Sequence, residues 1–248
     1  MSASQAVLYQ FSLCPFCNKV REGLALKGID YRTVEVNPRN KAELPELPAG
    51  APRKVPVFVL GDQVVYDSTN ILRFLDEAYP STVPFRASSV RARADEIEDW
   101  VDDELIRALP TVLYGTWREA AHAAAVVARG SKLNLAQDFG VKVAGPVVMH
   151  LVAKRILKKS GRKDAHAWVN ENLDQIERWL GDQPFVCGDV LSIADVAIKG
   201  AFACVEGFPI YDSIFARPKL RAWLARMEDQ KRLAPRAEEQ TGVFELQA

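Results

Sequence analysis

The first 80 residues of the chain carry an order of secondary-structure patterns that few folds can accommodate. Residues 7–11 are rich in β-forming side chains, residues 15–27 place apolar side chains at helical spacing, and residues 30–36 alternate as a strand does. A strand, a helix and a strand within about 30 residues form a βαβ unit, in which the strands are parallel and the crossover is right-handed.

The next segment extends this unit. Residues 37–54 contain four prolines and predict a loop, and two apolar runs joined by Gly61-Asp62 then predict a hairpin. A helical stripe follows and ends at Pro80. The order βαβ, loop, ββα is that of a thioredoxin-like domain, so we predict an α/β domain of this kind at 1–82.

The pattern changes after residue 84, where we find helical segments and no convincing strand. The helical segments run over 88–108, 111–128, 146–159, 165–180, 192–206 and 218–230. Proline and small polar residues cluster at 80–87, as they do in linkers between domains. We therefore predict a second domain at 88–248, an all-α helical bundle.

Composition excludes several classes of protein. Thirty-two basic residues balance thirty-two acidic ones, which argues against a nucleic-acid partner. No apolar run approaches the ~20 residues that span a bilayer, and the start of the sequence lacks the pattern of a secretion signal. We expect a cytoplasmic protein without a membrane anchor.

Four cysteines occur, at positions 14, 17, 187 and 204. A reducing compartment disfavours structural disulfides, so the CxxC pair of Cys14 and Cys17 favours metal or redox chemistry. A zinc site needs about four ligands in spaced pairs, and the sequence has no second CxxC or HxxxH, so we expect no metal. A pair of core-lining cysteines without chemistry is the remaining alternative. Cys187 and Cys204 are most simply small core residues.

The position of Cys14 favours nucleophilic chemistry. It falls where the first strand meets the first helix, with Pro15 in the first helical position. Unpaired N–H groups and the helix dipole stabilise a thiolate there, so we expect the pKa of Cys14 to lie below the free value of ~8.5. Cys17 lies one turn further and can attack a mixed disulfide on Cys14.

Two other features suggest a ligand. A proline that opens a central strand is explained if the Val55-Pro56 bond is cis and leaves the Val55 backbone free to pair with an extended ligand. An ordinary trans proline in a turn is the alternative. Asp67-Ser68 begins the "STNILRFL" helix, where Ser68 is the predicted N-cap and the helix end can bind a carboxylate.

The N-terminal part resembles the glutathione transferase superfamily in its order of a strand, "CPFC", a helix, "KVPV" and "YDS". Within it, "LYQFSLCPFCNKVR", "VEVNP" and "RKVPVF" are most similar to the branch of prostaglandin E synthase type 2. "MHLVAKRILKK" and "PFVCGDVLSIADVAI" extend the resemblance over nearly the whole chain. The resemblance implies a thioredoxin-like N-terminal domain and an all-helical C-terminal domain.

The resemblance also implies a glutathione site. Cys14 would face the glutathione sulfur with Cys17 beside it, and the Val55 backbone next to Pro56 would pair with the cysteinyl main chain. Asp67 and Ser68 would hold the γ-glutamyl end. Lys54 or Arg53 would reach the glycyl carboxylate.

The sequence departs from its relatives at two positions. Phe11 stands three residues before the first cysteine, where the synthase branch suggests a tyrosine. The larger transferase classes activate glutathione with a Tyr or Ser hydroxyl, whereas this chain has Cys14 there. Because a cysteine favours formation of a mixed disulfide, the prediction shifts from conjugation towards thiol transfer.

The helical part contributes candidates for the second-substrate cleft. They are Phe11, Tyr114 and Trp117, with Phe208 and Tyr211 further along, and core packing is the alternative for each. The basic run at 154–163 suits a helix C-terminus, and a membrane-surface role is possible for it. Ser192 and Asp195 form a predicted capping box with a role in folding.

We therefore predict a glutathione-dependent transferase or thiol-disulfide oxidoreductase acting on a small electrophilic or disulfide substrate, with a homodimer as its candidate assembly. A synthase-type isomerase or reductive lyase is one alternative. A non-catalytic protein that binds glutathione is another, with haem as an alternative ligand that no feature of the sequence supports.

Overall fold

A computed structural model describes residues 5–12, 14–38, 40–130 and 135–234, and for residues 127–130 and 135–143 it describes the backbone alone. Four strands form one mixed sheet in the order β2-β1-β3-β4. The strands are β1 (Ala6–Gln10), β2 (Tyr31–Glu35), β3 (Val57–Leu60) and β4 (Gln63–Tyr66). β1 pairs with β2 in parallel, whereas the β1–β3 and β3–β4 pairs are antiparallel. The βαβ unit and the hairpin predicted from the sequence are both confirmed.

Two helices accompany the sheet, α1 (Pro15–Leu26) and α2 (Ser68–Ala78). α1 connects the parallel strands, and α2 follows the hairpin directly. The first part of the chain is thus the predicted thioredoxin-like domain, with β1 and β3 at the centre of its sheet.

The rest of the described chain is helical. Its helices are α3 (Arg91–Trp100), a π-helical turn (Val101–Leu105), α4 (Ile106–Leu113), α5 (Trp117–Gly130), α6 (Leu135–Lys159), α7 (Ala165–Leu180), α8 (Ile193–Ala203), α9 (Pro209–Phe215) and α10 (Pro218–Leu233). The predicted two-domain fold class, α/β followed by all-α, is confirmed. The predicted domain boundary lies in the segment between α2 and α3.

The helix boundaries differ from the prediction in three places. The break expected near residue 110 lies instead at 114–116, because Pro110 stays inside α4. A Cβ at Gly115 would lie 2.6 Å from the Thr111 carbonyl oxygen, so glycine suits this turn. α6 begins well before residue 146, and the short helix α9 was not predicted.

α8 is the central helix of the second part, and its residues from Ile193 to Phe202 are all buried. Its N-terminus carries the predicted capping box, in which the Asp195 carboxylate accepts from the Ser192 N–H at 3.0 Å and hydroxyl at 2.8 Å. The same carboxylate accepts from the Val186 N–H and the Trp223 indole. Asp195 therefore joins three segments of the helical bundle.

None of the helices within the described ranges is both long and apolar enough to cross a membrane.

Candidate active site

The turn between β1 and α1 places the first cysteine at a helix N-terminus. Cys14 is the N-cap residue of α1 with extended backbone angles, and Pro15 occupies the first turn as predicted. The Cys14 N–H donates to the Phe11 carbonyl at 2.9 Å, which closes the preceding turn. Cys14 is half-buried, whereas Cys17 is fully buried one turn further along.

The two thiols differ strongly in acidity. The pKa of Cys14 is lowered to about 7, mainly because the Cys17 thiol donates a hydrogen bond to it. Burial opposes this shift, while the N–H groups of Cys17 and Phe16 and the charge of Arg21 support it. The pKa of Cys17 is raised, because its proton is held by Cys14 and because it is buried. The expected low pKa of Cys14 is thus present, but the neighbouring thiol contributes more to it than the helix end does.

A polar network holds the turn in front of Cys14. Arg21 of α1 donates to the Ser12 carbonyl at 2.7 Å and to the Gln10 side chain at 2.5 Å. The Glu35 carboxylate at the end of β2 accepts from the Ser12 N–H and hydroxyl, at 2.8 and 2.9 Å. Arg21 therefore fixes the approach to the dithiol and also places a positive charge near it. Sequence reasoning missed this network.

The strand that follows the proline-rich loop begins beside β1. The Val55-Pro56 peptide bond is cis, as predicted, and Pro56 is buried immediately before β3. Val57 pairs with Tyr9 of β1, the strand that leads to Cys14. Lys54 and Arg53 are exposed on the loop, where Arg53 donates to the Lys41 carbonyl at 2.8 Å.

The N-terminus of α2 differs from the prediction by one residue. Asp67 is the N-cap, and its carboxylate accepts from the N–H groups of Thr69 at 3.0 Å and Asn70 at 3.2 Å. Ser68 is the first helical residue and is buried, so the prediction that Ser68 caps the helix was wrong. Aspartate caps as well as serine does, and it stands one position earlier. Asp67 has a positive φ of 72°, a conformation that aspartate tolerates better than most residues.

A buried ion cluster lies behind this helix end. The Lys19 ammonium on α1 is fully buried and contacts the Glu98 carboxylate of α3 and the Asp102 carboxylate of the π-helical turn, the latter at 2.9 Å. The Thr69 hydroxyl donates to Glu98 at 2.5 Å. Burial, together with the charge of Glu98, raises the pKa of Asp102 to about 6 despite the nearby Lys19. The cluster joins α1, α2 and the helical part, and only the acidic run near residue 100 hinted at it in the sequence.

An apolar cavity opens beside α1. It is lined by Pro15, Ile106, Leu109, Pro110, Leu113, Tyr114, Ala123, Cys204 and Phe208. Because Pro15 follows Cys14 directly, the cavity lies next to the acidic thiol. The Asn18 amide of α1 donates to the Cys204 sulfur at 3.0 Å, and burial raises the pKa of Cys204 to about 12. Cys204 is thus a neutral thiol in the cavity wall.

The predicted cleft residues are distributed unevenly around this cavity. Tyr114 and Phe208 line it, whereas Phe11, Trp117 and Tyr211 do not. Phe11 lies on the turn before Cys14, where its N–H donates to the Cys17 sulfur at 3.5 Å. The side chain of Trp117 is 57% exposed and stacks against His150. No sequence feature indicated that Cys204 would be part of the cavity.

Metal ligands are not grouped in this region. Across the ranges that the structure describes, no three His, Cys, Asp or Glu side chains lie together in a way that could hold a metal ion. The chemistry that the arrangement can perform is that of an acidic thiol beside a protonated one.

Curated proteins with related sequences include an enzyme of the predicted branch. Mouse prostaglandin E synthase 2 is 26% identical to this chain over 93% of the chain and 71% of its own length.

Solved structures with the same fold cover almost the entire chain. The apo form of a glutathione S-transferase III superposes with a TM-score of 0.61 at 20% identity, covering 99% of both chains. Rice GST1, solved in complex with glutathione, superposes with a TM-score of 0.56 at 24% identity, covering 96% of this chain and 95% of its own.

Family models match both parts of the chain. Residues 8–83 match the glutathione S-transferase N-terminal domain, and residues 145–231 match the glutathione S-transferase C-terminal domain. The first match contains the CPFC turn, the cis-proline and the start of α2, and the second contains α7 and the buried α8. The chain therefore belongs to the glutathione S-transferase family.

Proposed function

We propose that this protein is a glutathione-dependent thiol transferase in which Cys14 is the nucleophile. The observation that carries the proposal is the position of Cys14 at the N-cap of α1 beside the buried Cys17 thiol, which lowers the pKa of Cys14 to about 7. A thiol of this acidity is about half ionised at neutral pH, and the thiolate is the reactive form. A reducing compartment such as the cytoplasm would keep the pair reduced between turnovers.

The proposed reaction is a thiol-disulfide exchange. The Cys14 thiolate attacks one sulfur of a disulfide that contains glutathione, a new S–S bond forms to Cys14, and the other sulfur leaves as a thiolate. A second glutathione can then attack the sulfur of the bound group, which forms a new disulfide with that group and releases the Cys14 thiolate. Alternatively, Cys17 attacks the Cys14 sulfur and releases the bound group as a thiol, and two glutathione molecules reduce the resulting Cys14–Cys17 disulfide and leave as glutathione disulfide. Once Cys14 is in a disulfide, its negative charge no longer holds the Cys17 proton, so the pKa of Cys17 falls and Cys17 becomes able to attack.

The glutathione contacts implied by the family remain part of this proposal. Val55 next to Pro56 would pair with the cysteinyl main chain, and the end of α2 at Asp67 and Ser68 would hold the γ-glutamyl group. Lys54 is exposed on the adjoining loop, where it could reach a carboxylate. The second substrate, a small electrophile or disulfide, would occupy the apolar cavity beside Pro15, in contact with Tyr114.

Replacement of the two cysteines tests the proposal. We expect Cys14→Ser to lower thiol transfer from a glutathione mixed disulfide by at least about a hundredfold, since a serine hydroxyl is not ionised at neutral pH. Cys17→Ser should accumulate a glutathione adduct on Cys14 that mass spectrometry detects. Cys187→Ser is the matched control, because Cys187 is a half-buried thiol outside the cavity lining. If Cys14→Ser retained full activity, the proposal would be wrong.

The similarity to mouse prostaglandin E synthase 2 favours one second candidate, an isomerase or reductive lyase that binds glutathione. Assays with labelled glutathione separate the two candidates. Thiol transfer places the label in a disulfide or adduct, whereas an isomerase returns the label unchanged. Sedimentation velocity of the purified protein reports whether it is the predicted homodimer.

A further inference from the structure

Exposed apolar side chains are concentrated on one part of the surface. Seven large hydrophobic side chains are strongly exposed among the described residues: Trp117, Val147, Val148, Leu151, Val152, Val190 and Leu233. Four of them lie within six consecutive positions of α6, and a fifth, Trp117, contacts that helix through His150. Contiguous apolar surface of this kind marks an interaction site more often than isolated exposed side chains do.

The exposed part of α6 has two chemically different halves on a single face. Val148, Leu151 and Val152 are followed by Arg155, Lys158 and Lys159, all of them exposed. The six positions follow the spacing i, i+3, i+4, i+7, i+10 and i+11, which places them on one side of a helix. We call these six residues the α6 stripe. It is about 16 Å long at 1.5 Å per residue.

The basic half of the α6 stripe is available to a partner. None of the ion pairs formed within the described part of the chain includes Arg155, Lys158 or Lys159, whereas nearby Arg162 is paired with Glu171. The formal net charge of the whole chain is zero, so this positive charge is a local concentration. The helix dipole explains why lysines suit the end of α6, but it does not explain the exposed valines and leucine in the preceding turns.

Trp117 extends the apolar half. Its ring centroid lies 4.5 Å from that of His150 on α6, and its side chain is 57% exposed. Tryptophan is enriched where an apolar phase meets water, because its ring is apolar and its N–H is polar.

We propose that the α6 stripe, with Trp117, docks this protein onto the surface of an anionic phospholipid bilayer. Surface-bound helices bury an apolar face at the boundary of headgroups and acyl chains, and their basic side chains contact anionic headgroups. The α6 stripe provides both parts on one face. The inference does not depend on the proposed function, since none of the stripe residues lines the cavity beside Cys14.

Two other occupants fit the α6 stripe less well. A nucleic acid would contact the basic half but would leave the valines and leucine against a polyanion. A second copy of the chain would place like charges together in a parallel pairing. In an antiparallel pairing it would bring together the six stripe residues and Trp117, seven residues a side, far below the ~20–30 residues a side of a standard interface.

The test measures co-sedimentation of the full-length protein with vesicles of phosphatidylcholine alone and with added phosphatidylglycerol. We expect binding to the anionic vesicles that weakens at high salt, because screening reduces the attraction. Lys158→Glu with Lys159→Glu should lower the partition coefficient by at least about tenfold, given roughly fivefold for each basic residue near an anionic surface. Val148→Ser with Leu151→Ser should lower it while leaving the salt dependence in place.

The matched control is Arg32→Glu with Arg221→Glu, which makes the same change in net charge at exposed sites outside α6. Circular dichroism should show that all three double variants are folded. Equal losses of vesicle binding in the control and the lysine variant would mean that net charge alone acts, and would overturn the proposal. Equal binding of the wild type to neutral and anionic vesicles would also overturn it. A stripe-dependent dimer without vesicle binding would assign the surface to a second copy.

Discussion

Cys14 and Cys17 are the same residue type one helical turn apart, yet their pKa values move in opposite directions. Cys14 receives hydrogen bonds from the Cys17 thiol and from two backbone N–H groups, all of which favour the thiolate. Cys17 is buried beside that thiolate, so a second negative charge is disfavoured. Geometry at a helix end thus makes one thiol reactive and keeps its neighbour protonated.

Removing the Cys17 thiol should raise the pKa of Cys14. Cys17→Ala removes the thiol hydrogen bond, which is the largest contribution to the low pKa of Cys14. We therefore expect the pKa of Cys14 to rise from about 7 towards 9.0. A pKa near 9 leaves only about one thiolate in a hundred at pH 7, so the rate of Cys14 alkylation at neutral pH should fall strongly. The pH dependence of that rate, followed by mass spectrometry of the Cys14 peptide, measures the shift.

Cys17→Ser is the control for this experiment, because its hydroxyl can still donate to Cys14 and should leave the pKa closer to 7. For the wild type, alkylation should reach half of its maximum near pH 7 and decline as the pH falls, since protonation removes the thiolate. If the pH profile of Cys14 alkylation were unchanged in Cys17→Ala, the backbone N–H groups and Arg21 would be enough to lower the pKa of Cys14 without the Cys17 thiol.

At the scale of elements, the sequence marks the N-termini of α1 and α2 unequally. Pro15 identifies the start of α1, because proline fits the first helical turn. The start of α2 was misplaced by one residue because Asp67 and Ser68 are both good caps. The Lys19 cluster could not be predicted from the acidic run near residue 100 alone, since Glu98 and Asp102 lie 79 and 83 positions further along the chain. Local patterns predict helices well, but they carry no information on such distant partners.

Removing the Lys19 charge should destabilise the protein strongly. In Lys19→Met, the Glu98 carboxylate would remain buried without its cation, so we expect a loss of about 3–5 kcal/mol in the free energy of unfolding. Urea denaturation measures the loss. The double variant Lys19→Met with Glu98→Met should be less destabilised than the single variant, because the fully buried carboxylate is then gone and only the partly exposed Asp102 is left without its cation.

Arg107→Met provides the surface comparison for Lys19→Met. Arg107 and Asp103 form an exposed pair on successive turns, 65% and 69% exposed, and such pairs contribute little. We expect a change within about 1 kcal/mol. Equal losses in Lys19→Met and Arg107→Met would contradict the importance of the buried cluster.

At the scale of the whole molecule, one continuous apolar core includes residues of both parts of the chain, from Leu8 of β1 to Trp223 of α10. The sequence predicted an α/β part followed by helices, because the periods of strands and helices differ and can be read locally. It could not predict that α1 crosses α8, since the small residue that permits the crossing, Gly200, lies in an ordinary apolar helix. Local patterns also do not show which distant residues meet. The sequence therefore suggested the aromatic residues Tyr114 and Phe208 for the cleft but not the thiol of Cys204.

Gly200→Ala should separate α1 from α8. An added Cβ would lie 2.5 Å from the Lys19 Cα and 2.6 Å from its backbone nitrogen, and backbone atoms cannot turn aside as a side chain can. We expect a net loss of about 1–3 kcal/mol in the free energy of unfolding, even though alanine favours helices over glycine by about 1 kcal/mol. Urea denaturation measures this loss, and a rise in the pKa of Cys14 would report displacement of α1.

Gly23→Ala on α1 is the matched control for this substitution. Its Cβ would lie 2.3 Å from a methyl group of Leu72, which is the end of a side chain and can move at smaller cost than a backbone. Both variants gain the same helix propensity. The difference in their free energies of unfolding therefore isolates the cost of the contact between the Cβ added at Gly200 and the α1 backbone. If Gly200→Ala were no less stable than Gly23→Ala, the two helices would be free to shift, and the crossing of α1 and α8 would not hold the dithiol against the helical part.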